Sequence, residues 1–261
     1  MPKKHLFLLT ILSLISLVNL YAQFGYSSEL AIVFGPTSFQ SDFGSREDTE
    51  AYAGNSGFGI GVVHYLNLSI SSGCNCYTRE TYFNDHIKIR SEISFNSTDL
   101  NHFGRWVSEE KESEAAKKLR AHSGKVNNFE LGTGIEYFPL SVTNFQNYLT
   151  KFAPYISIGA HATYSIPGVS TTYGDQNINN PDNFFPGWEP GSINIEESWA
   201  LSIVGSIGTR YKLAQYSDIV IDMRWQYFNK DTIDGLDHNL PSNKFNDWMV
   251  WLNMGYVYYL D

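Results

Sequence analysis

Eight segments of the chain alternate between apolar residues and polar or small residues at every second position. A period of two is typical of a β-strand whose two faces meet different surroundings. The apolar faces run for about ten residues with almost no charge, which is the length that a tilted membrane-crossing strand needs. In chain order, the segments are SELAIVFG (28–35), GFGIGVVHYLNLSIS (57–71), HIKIRSEISF (86–95), NFELGTGIEYF (128–138), FAPYISIGAHATYSI (152–166), ALSIVGSIGTRYKL (200–213), DIVIDMRWQYF (218–228) and DWMVWLNMGYVYYLD (247–261).

The second segment carries glycine at three alternate positions, Gly57, Gly59 and Gly61. Glycine is a poor strand residue because it loses much backbone freedom on folding and contributes no side chain. We therefore expect the glycine face to be crowded by long ionic side chains from the facing wall. The other face is expected to meet lipid, through Phe58, Ile60, Val62, Leu66 and Leu68.

The faces opposite the apolar ones carry five acidic and five basic residues, although the whole chain has a net charge of −9. Buried charges must be paired, and eight strands enclose a space just wide enough for side chains to fill. The set is predicted to form a charge network in the lumen of a barrel, which would leave no open pore. Its members are Glu29, Lys88, Arg90, Glu92, Glu130, Glu136, Arg210, Lys212, Asp222 and Arg224.

The sequence thus predicts an all-β fold, an eight-stranded antiparallel up-and-down transmembrane β-barrel with long extracellular loops. Tyrosine and tryptophan near the segment ends are typical of the aromatic girdles of such barrels. A secreted soluble β-barrel or β-sandwich is the alternative, and it would bury the apolar face inward.

The first 22 residues have the layout of a secretory signal peptide: Lys3 and Lys4, an apolar run, and the small residue Ala22. Residues 23–261 would then form one outer-membrane barrel domain; an uncleaved N-terminal anchor is the alternative. Removal of the signal leaves 16 basic and 27 acidic residues. An acidic exported chain is a poor candidate for binding nucleic acid.

Long and short connections alternate along the chain. Residues 36–56, 98–125, 167–198 and 229–246 are long, whereas 71–84, 139–150 and 214–217 are shorter. Outer-membrane barrels place long loops outside and short turns inside, so both termini are predicted to be periplasmic. The second long loop contains SEEKESEAAKKLRAHSG, which predicts a short helix that begins at Ser108 and has basic residues late.

Cys74 and Cys76 lie in the first short connection, in the sequence SSGCNCYT. They are expected to be two turn thiols of open redox state, with a strained disulfide as the alternative. Neither they nor the nearby His86 complete a zinc ligand set, and no metal or cofactor is predicted. The length of the 71–84 turn leaves room for a periplasmic protein partner.

Three stretches carry a family resemblance: SELAIVFGPTSFQSDFG, FAPYISIGAHATYS and IGTRYKLAQYSDIVIDMRWQYFNKDTIDGLD. They resemble small outer-membrane barrels of Bacteroidota, of the outer-membrane-protein-A-like eight-stranded kind, and the strongest part runs from Gly208 to Asp237. The resemblance implies an eight-stranded barrel and supplies no catalytic motif. Some barrels of this size serve the secretion apparatus linked to gliding, which suggests an accessory role in secretion or assembly.

Catalysis would require a nucleophile, a base and an orienting group within hydrogen-bond reach. The loops offer candidates but neither GxSxG nor HExxH occurs. We therefore predict a non-enzymatic scaffold that contacts outer-membrane lipid and binds other outer-membrane or periplasmic proteins. The alternatives are a lipid-modifying enzyme and a secreted ligand-binding barrel. The loop candidates are His102, His122, His238, Ser108, Asp99, Asp234 and Asp237.

Overall fold

A computed structural model of the protein describes residues 26–44, 49–70, 81–238, 240 and 245–260. The predicted signal peptide (1–22) and the two cysteines, Cys74 and Cys76, lie outside the described residues. No helix in the described ranges is both long and apolar enough to cross a membrane.

Eight antiparallel strands form one closed barrel in chain order, and the last strand pairs with the first. This confirms the predicted fold class. The strands are β1 Tyr26–Gln40, β2 Ser56–Ile70, β3 Ile87–Asn101, β4 His122–Tyr137, β5 Phe152–Thr171, β6 Ser198–Ala214, β7 Ser217–Phe228 and β8 Trp248–Tyr259. Four long connections meet at one end of the barrel, hereafter the loop end; the three shorter ones, the start of β1 and the end of β8 lie at the other, the turn end.

The outer wall carries a continuous apolar belt. Each strand contributes a large aliphatic side chain that is between 43% and 66% exposed, although aliphatic side chains of this size are normally buried. Aromatic pairs border the belt at both ends, with Tyr164 beside Trp199 and Phe152 beside Tyr211. The aliphatic residues, one from each strand in order, are Ile32, Ile60, Ile93, Leu131, Ile158, Ile203, Ile221 and Leu252.

Several strands are longer than the alternating segments from which they were predicted. β5 has 20 residues and β4 has 16. Beyond the aromatic border the outer wall of β3, β4 and β5 turns polar, with Lys125 Nζ 3.2 Å from Asp99 Oδ1 and the hydroxyls of Ser123 and Ser170 2.8 Å apart. The hydrogen-bond ladder continues there although the apolar pattern has ended. Because the strand ends were predicted from the apolar pattern, they were predicted too early.

The connections contain short helices: α1 Thr49–Gly54, α2 Tyr82–His86, α3 Glu114–Ala121 and α4 Val142–Gln146, with a 3₁₀ turn at Pro181–Asn183. The predicted helix of the second long loop exists as α3, but its predicted start at Ser108 is wrong. The side chain of Ser113 accepts a hydrogen bond from the Ala116 amide and is the N-cap. Serine and acidic residues occur at both places, so the pattern did not distinguish the two starts.

The glycines of β2 do border crowded space, but the source of the crowding differs from the prediction. A Cβ on Gly59 would lie 2.5 Å from the indole of Trp251, and one on Gly57 would meet the backbone of β3. One on Gly61 would lie 3.0 Å from the Cβ of Ser94. The expectation that long ionic side chains require these glycines is therefore wrong: an indole and the neighbouring strand do.

An apolar cluster closes each end of the lumen. At the turn end, Phe138, Val142 and Phe145 fold under the barrel. At the loop end, the buried residues of the second cluster include Phe39, Phe228, Ile233, Leu236 and Trp251. The polar layer between these clusters is buried, and electrostatic interactions are stronger in a buried layer than in water.

Candidate functional site

The structure places all ten residues of the predicted charge network in the lumen, and each is at most 6% exposed. Toward the turn end, Glu29 binds two cations. Its Oε1 lies 2.5 Å from Lys88 Nζ, and its other oxygen accepts from Arg210. Lys212 Nζ lies 3.3 Å from a carboxylate that the sequence analysis did not include, that of Asp218.

The middle of the lumen is organised by two guanidinium groups. Arg90 lies 2.6 Å from Glu92, 3.4 Å from Glu136 and 3.3 Å from Asp222. Arg224 forms a two-pronged contact with Glu92, through N–O distances of 2.7 and 2.8 Å. Two-pronged arginine–carboxylate contacts are among the stronger charged hydrogen bonds in proteins.

The carboxylate nearest the loop end, that of Glu130, is satisfied mainly by uncharged donors. Its Oε2 lies 2.8 Å from His161 Nδ1 and accepts from the Gln226 amide at 3.0 Å, and its Oε1 accepts from Asn96 at 2.8 Å. His161 is thus a buried member of the polar network around Glu130.

These contacts connect the turn-end and middle groups into one lattice, because Glu136 is shared between Arg90 and Arg210. The void beside Arg90 and Arg224 holds only about 10 Å³, near the smallest space that accommodates one water molecule. Removal of one partner from such a lattice would leave a buried charge uncompensated, which costs about 3–5 kcal/mol.

The lumen residues missed from the sequence include two that contact the charge network. Asp218 shares the register of Asp222 and Arg224, but it stands beside the shortest turn and was not counted with the inward face. Trp251 shares the register of Met249 and Asn253, and its ring lies 4.8 Å beneath the guanidinium of Arg224. Strict parity along β7 and β8 would have found both.

At the loop end, four loops or their adjoining strand ends contribute to one cluster of aromatic and imidazole rings, hereafter the cap. Phe43 stacks against both His102 and His122, with ring centroids 5.1 and 4.8 Å away. The two imidazoles are joined by a 2.8 Å contact between Nε2 of His102 and Nδ1 of His122. Trp188 lies on the third loop and stacks with His238 of the fourth at 5.9 Å.

Backbone contacts lock the loops of the cap together. The amide of Asp42 donates to Asp234 Oδ2 at 2.9 Å, and the amide of His238 donates to Asp42 Oδ2 at 2.9 Å. The amide of Asp237 donates to the carbonyl of Ser192 at 2.7 Å. The first, third and fourth long loops therefore hold one another in place.

The titratable groups of the cap are shifted toward their uncharged forms. Burial raises the pKa of Asp234 from 3.8 to about 7, against the opposing effect of the backbone donors Leu236 and Asp42 and the Ser41 side chain. Desolvation, and then the neighbouring His122 and His238, lower the pKa of His102 well below its usual value. Both shifts are caused mainly by the loss of hydration.

The structure brings only some of the loop candidates for catalysis together. His102, His122 and His238 share the cap, and Asp234 is buried within its backbone contacts. Asp99, by contrast, lies on the outer wall beside Lys125, and the carbonyl of Ser108 accepts from Arg120 at 2.8 Å.

The sequence predicts no metal site. Carboxylate oxygens of Asp42, Asp231 and Asp237 lie within 4.8 Å of one another. Asp42 already accepts the His238 amide, and acidic clusters of this kind are common without an ion, so the cluster does not by itself define a site.

A closed barrel with an apolar outer belt and a charged, filled lumen is the architectural class that these observations define. No family model and no curated protein matches the sequence. Solved structures with a similar chain path include a major outer membrane protein from Thermus thermophilus, with 14% identity, a TM-score of 0.48, and 89% of this chain and 99% of that chain covered.

Two further similar structures are Ail, the attachment invasion locus protein of Yersinia pestis, and Neisserial surface protein A. Ail is 11% identical with a TM-score of 0.41, covering 90% of this chain and 99% of its own. The Neisserial protein is 12% identical with a TM-score of 0.41, covering 90% of this chain and 96% of its own. At these identities the likeness concerns the fold alone.

Proposed function

We propose that the protein is a non-enzymatic outer-membrane barrel that acts as an interaction scaffold and displays its cap outside the cell. The observation that carries this proposal is the apolar belt, which no soluble protein would leave in water. A bilayer would cover it and would make outer-membrane lipid the first partner of the chain.

The filled lumen argues against conduction as the function. The ionic lattice and the two apolar clusters occupy the space that an ion or solute would need, and moving them would break several buried ion pairs at once. What remains free to interact is the loop end and the turn end.

The orientation follows from the lengths of the connections. Barrels of this class commonly place long loops outside and short turns in the periplasm, so the cap would face the exterior and both termini the periplasm. The favoured form of the scaffold is an accessory of an outer-membrane secretion or assembly machine, with the 71–84 turn as the candidate contact for a periplasmic protein.

Two tagged proteins test location and orientation together. One carries an epitope at Asn180, in a long loop, and its matched control carries the same epitope at Leu149, in a turn. Antibody should label intact cells only with the first, and both should appear in the outer-membrane fraction with a heat-dependent gel shift. Labelling of the second alone would reverse the orientation, and recovery in the soluble fraction would refute the membrane assignment.

A mild-detergent purification of the Asn180-tagged protein tests the scaffold role. A stoichiometric co-purifying protein that is lost when loop or turn residues are deleted supports it. Purification of the barrel alone, together with turnover of outer-membrane lipid that disappears on mutation of His102 or His122, would instead support the enzyme.

A further inference from the structure

A cavity of about 760 Å³ opens beside the cap, between α3 and the third and fourth long loops. Its size lies within the range of sites for small organic ligands. Its lining residues belong to the long loops and to α3, so the cavity is a feature of the loops and not a packing defect of the lumen.

The walls of the cavity are mainly apolar and aromatic. Trp106 and Phe103 come from the second loop, Leu119 from α3, and Trp188 and Phe185 from the third loop. Indole and phenyl faces on two sides suit a flat or compact apolar body, because each face offers a large contact area at little cost in side-chain entropy.

Two cationic side chains line this cavity. The Arg105 guanidinium lies 4.9 Å and the Lys111 ammonium 4.3 Å from the centre of the Trp106 ring. Within the described ranges, neither forms an ion pair with a carboxylate, whereas Lys117 of the same loop pairs with Glu114. Apart from their contact with the Trp106 ring, their charges are therefore available to a ligand.

The other titratable groups of the lining do not cancel this charge. Burial keeps the imidazole of His102 in its uncharged form by lowering its pKa. The lining contains one carboxyl group, Asp42, which accepts the His238 amide, so two cations face a single acidic side chain.

This positive charge is unusual in a chain with a net charge of −9. A ligand with one anionic group would place that group near Arg105 and Lys111 while its apolar body contacts Trp106 and Trp188. A cationic ligand would be repelled by Arg105 and Lys111, and a purely polar ligand would gain little from the aromatic walls.

We propose that this cavity binds a small organic anion with a compact apolar body, such as an aromatic carboxylate or sulfonate. The site goes beyond the scaffold role and does not depend on it, since it needs only the folded cap. Its test therefore has a readout, ligand affinity, that is independent of partners and of orientation.

The test uses calorimetry on the full barrel in phosphatidylcholine nanodiscs, with empty nanodiscs as the blank for partition into lipid. Three naphthalenes of one shape serve as probes: 2-naphthalenesulfonate, the neutral 2-naphthalenemethanol and the cationic 2-naphthylmethylammonium. We expect saturable one-to-one binding of the sulfonate, about tenfold tighter than the alcohol, which corresponds to about 1.4 kcal/mol, and weaker binding of the cation.

The variant Arg105→Gln with Lys111→Gln should weaken sulfonate binding about tenfold and change alcohol binding less than twofold. The matched control, Lys117→Gln with Lys118→Gln, removes the same charge from the same loop outside the cavity, and should keep most of the affinity. Ala115→Trp should fill the cavity and abolish binding of all three probes while the heat-dependent gel shift persists.

Three results would overturn the proposal. One is the lack of saturable sulfonate binding at millimolar concentration. Another is equal affinity for the three probes, because the cations would then play no part. The last is an equal loss in the control pair, which would assign the effect to the overall charge of the loop.

Discussion

The lumen and the cap both enclose titratable side chains, and they stabilise them in opposite ways. In the lumen, carboxylates and cations are paired in a lattice of ion pairs, as between Glu92 and Arg224. In the cap, burial favours the uncharged forms of Asp234 and His102, whose neighbours are rings and backbone amides. Paired charge makes a rigid core for the barrel, whereas neutral groups make a region whose stability depends on pH.

The lumen and the cap also place different requirements on the sequence. Lattice members must be charged and correctly spaced along strands, so that replacing one disturbs several others. Cap residues belong to four different loops, and the loops meet only because the barrel closes beneath them. We therefore expect the cap to loosen without loss of the barrel, but not the reverse.

The largest expected effect is that of Arg224→Glu. It would place a further carboxylate beside Glu92 and leave it unpaired in a dry layer, at a cost of about 3–5 kcal/mol. We expect the melting temperature of the refolded barrel to fall by many degrees in gel-shift melts. Lys125→Glu, on the exposed wall, is the matched control and should melt like wild type; equal melting of Arg224→Glu would refute the role given to the lattice.

The second effect concerns pH and Asp234. Because its pKa is raised to about 7 in the folded cap, protonation stabilises the cap fully below about pH 4, and this contribution is lost as pH rises through 7. The opening equilibrium of the cap should thus rise by up to about tenfold per pH unit across that window. Hydrogen exchange at the Asp237 and Asn194 amides, corrected for intrinsic rates, measures it.

Asp234→Asn should remove this rise, because an amide does not titrate. The contribution of His102 has the opposite sign and is present in both proteins, so the difference between them isolates Asp234. Asp182→Asn, exposed on the third loop, is the control and should follow wild type. An unchanged pH profile in Asp234→Asn would show that the carboxylate is not what makes the cap sensitive.

A smaller effect is expected from Gly59→Ala. The new Cβ would lie 2.5 Å from the ring of Trp251, and overpacking of this kind costs about 1–3 kcal/mol. Gly205→Ala is matched in chemistry but faces outward, 3.7 Å from the nearest carbonyl oxygen, and should cost little. Urea unfolding of the two variants compares them, and equal midpoints would contradict the crowding of the lumen.

The smallest effect tests the loop end of the molecule alone, through the helix α3. Ser113→Ala removes the N-cap of α3 and should destabilise that helix by about 1 kcal/mol, which would appear as faster exchange of the α3 amides with an unchanged barrel melt. Ser108→Ala, at the start that the sequence suggested, should change neither. A lower barrel melting temperature in Ser113→Ala would show that the cap and the lumen unfold together.

Period-two alternation was enough to predict the strand count, the inward and outward faces and the ten lumen charges. Parity would also have identified Asp218, at the edge of its segment, and Trp251, between Met249 and Asn253 on the inward face. The cap could not be predicted, because Phe43, His122 and Trp188 are far apart in sequence and nothing local indicates that their loops converge. The start of α3 was predicted wrongly for a related reason. Ser108 and Ser113 have similar neighbours in the sequence, and only tertiary contacts distinguish them.

The polar part of the outer wall, at the loop end, determines the direction from which a ligand can reach the cap. β5 pairs with β6 through the aromatic border at Tyr164 and continues to Thr171. At about 3.3 Å per residue and a tilt of about 40°, those seven further residues raise the loops by about 15–20 Å. The cavity near Trp106 therefore stands clear of the hydrocarbon, and its ligand would arrive by diffusion through water rather than sideways from the bilayer.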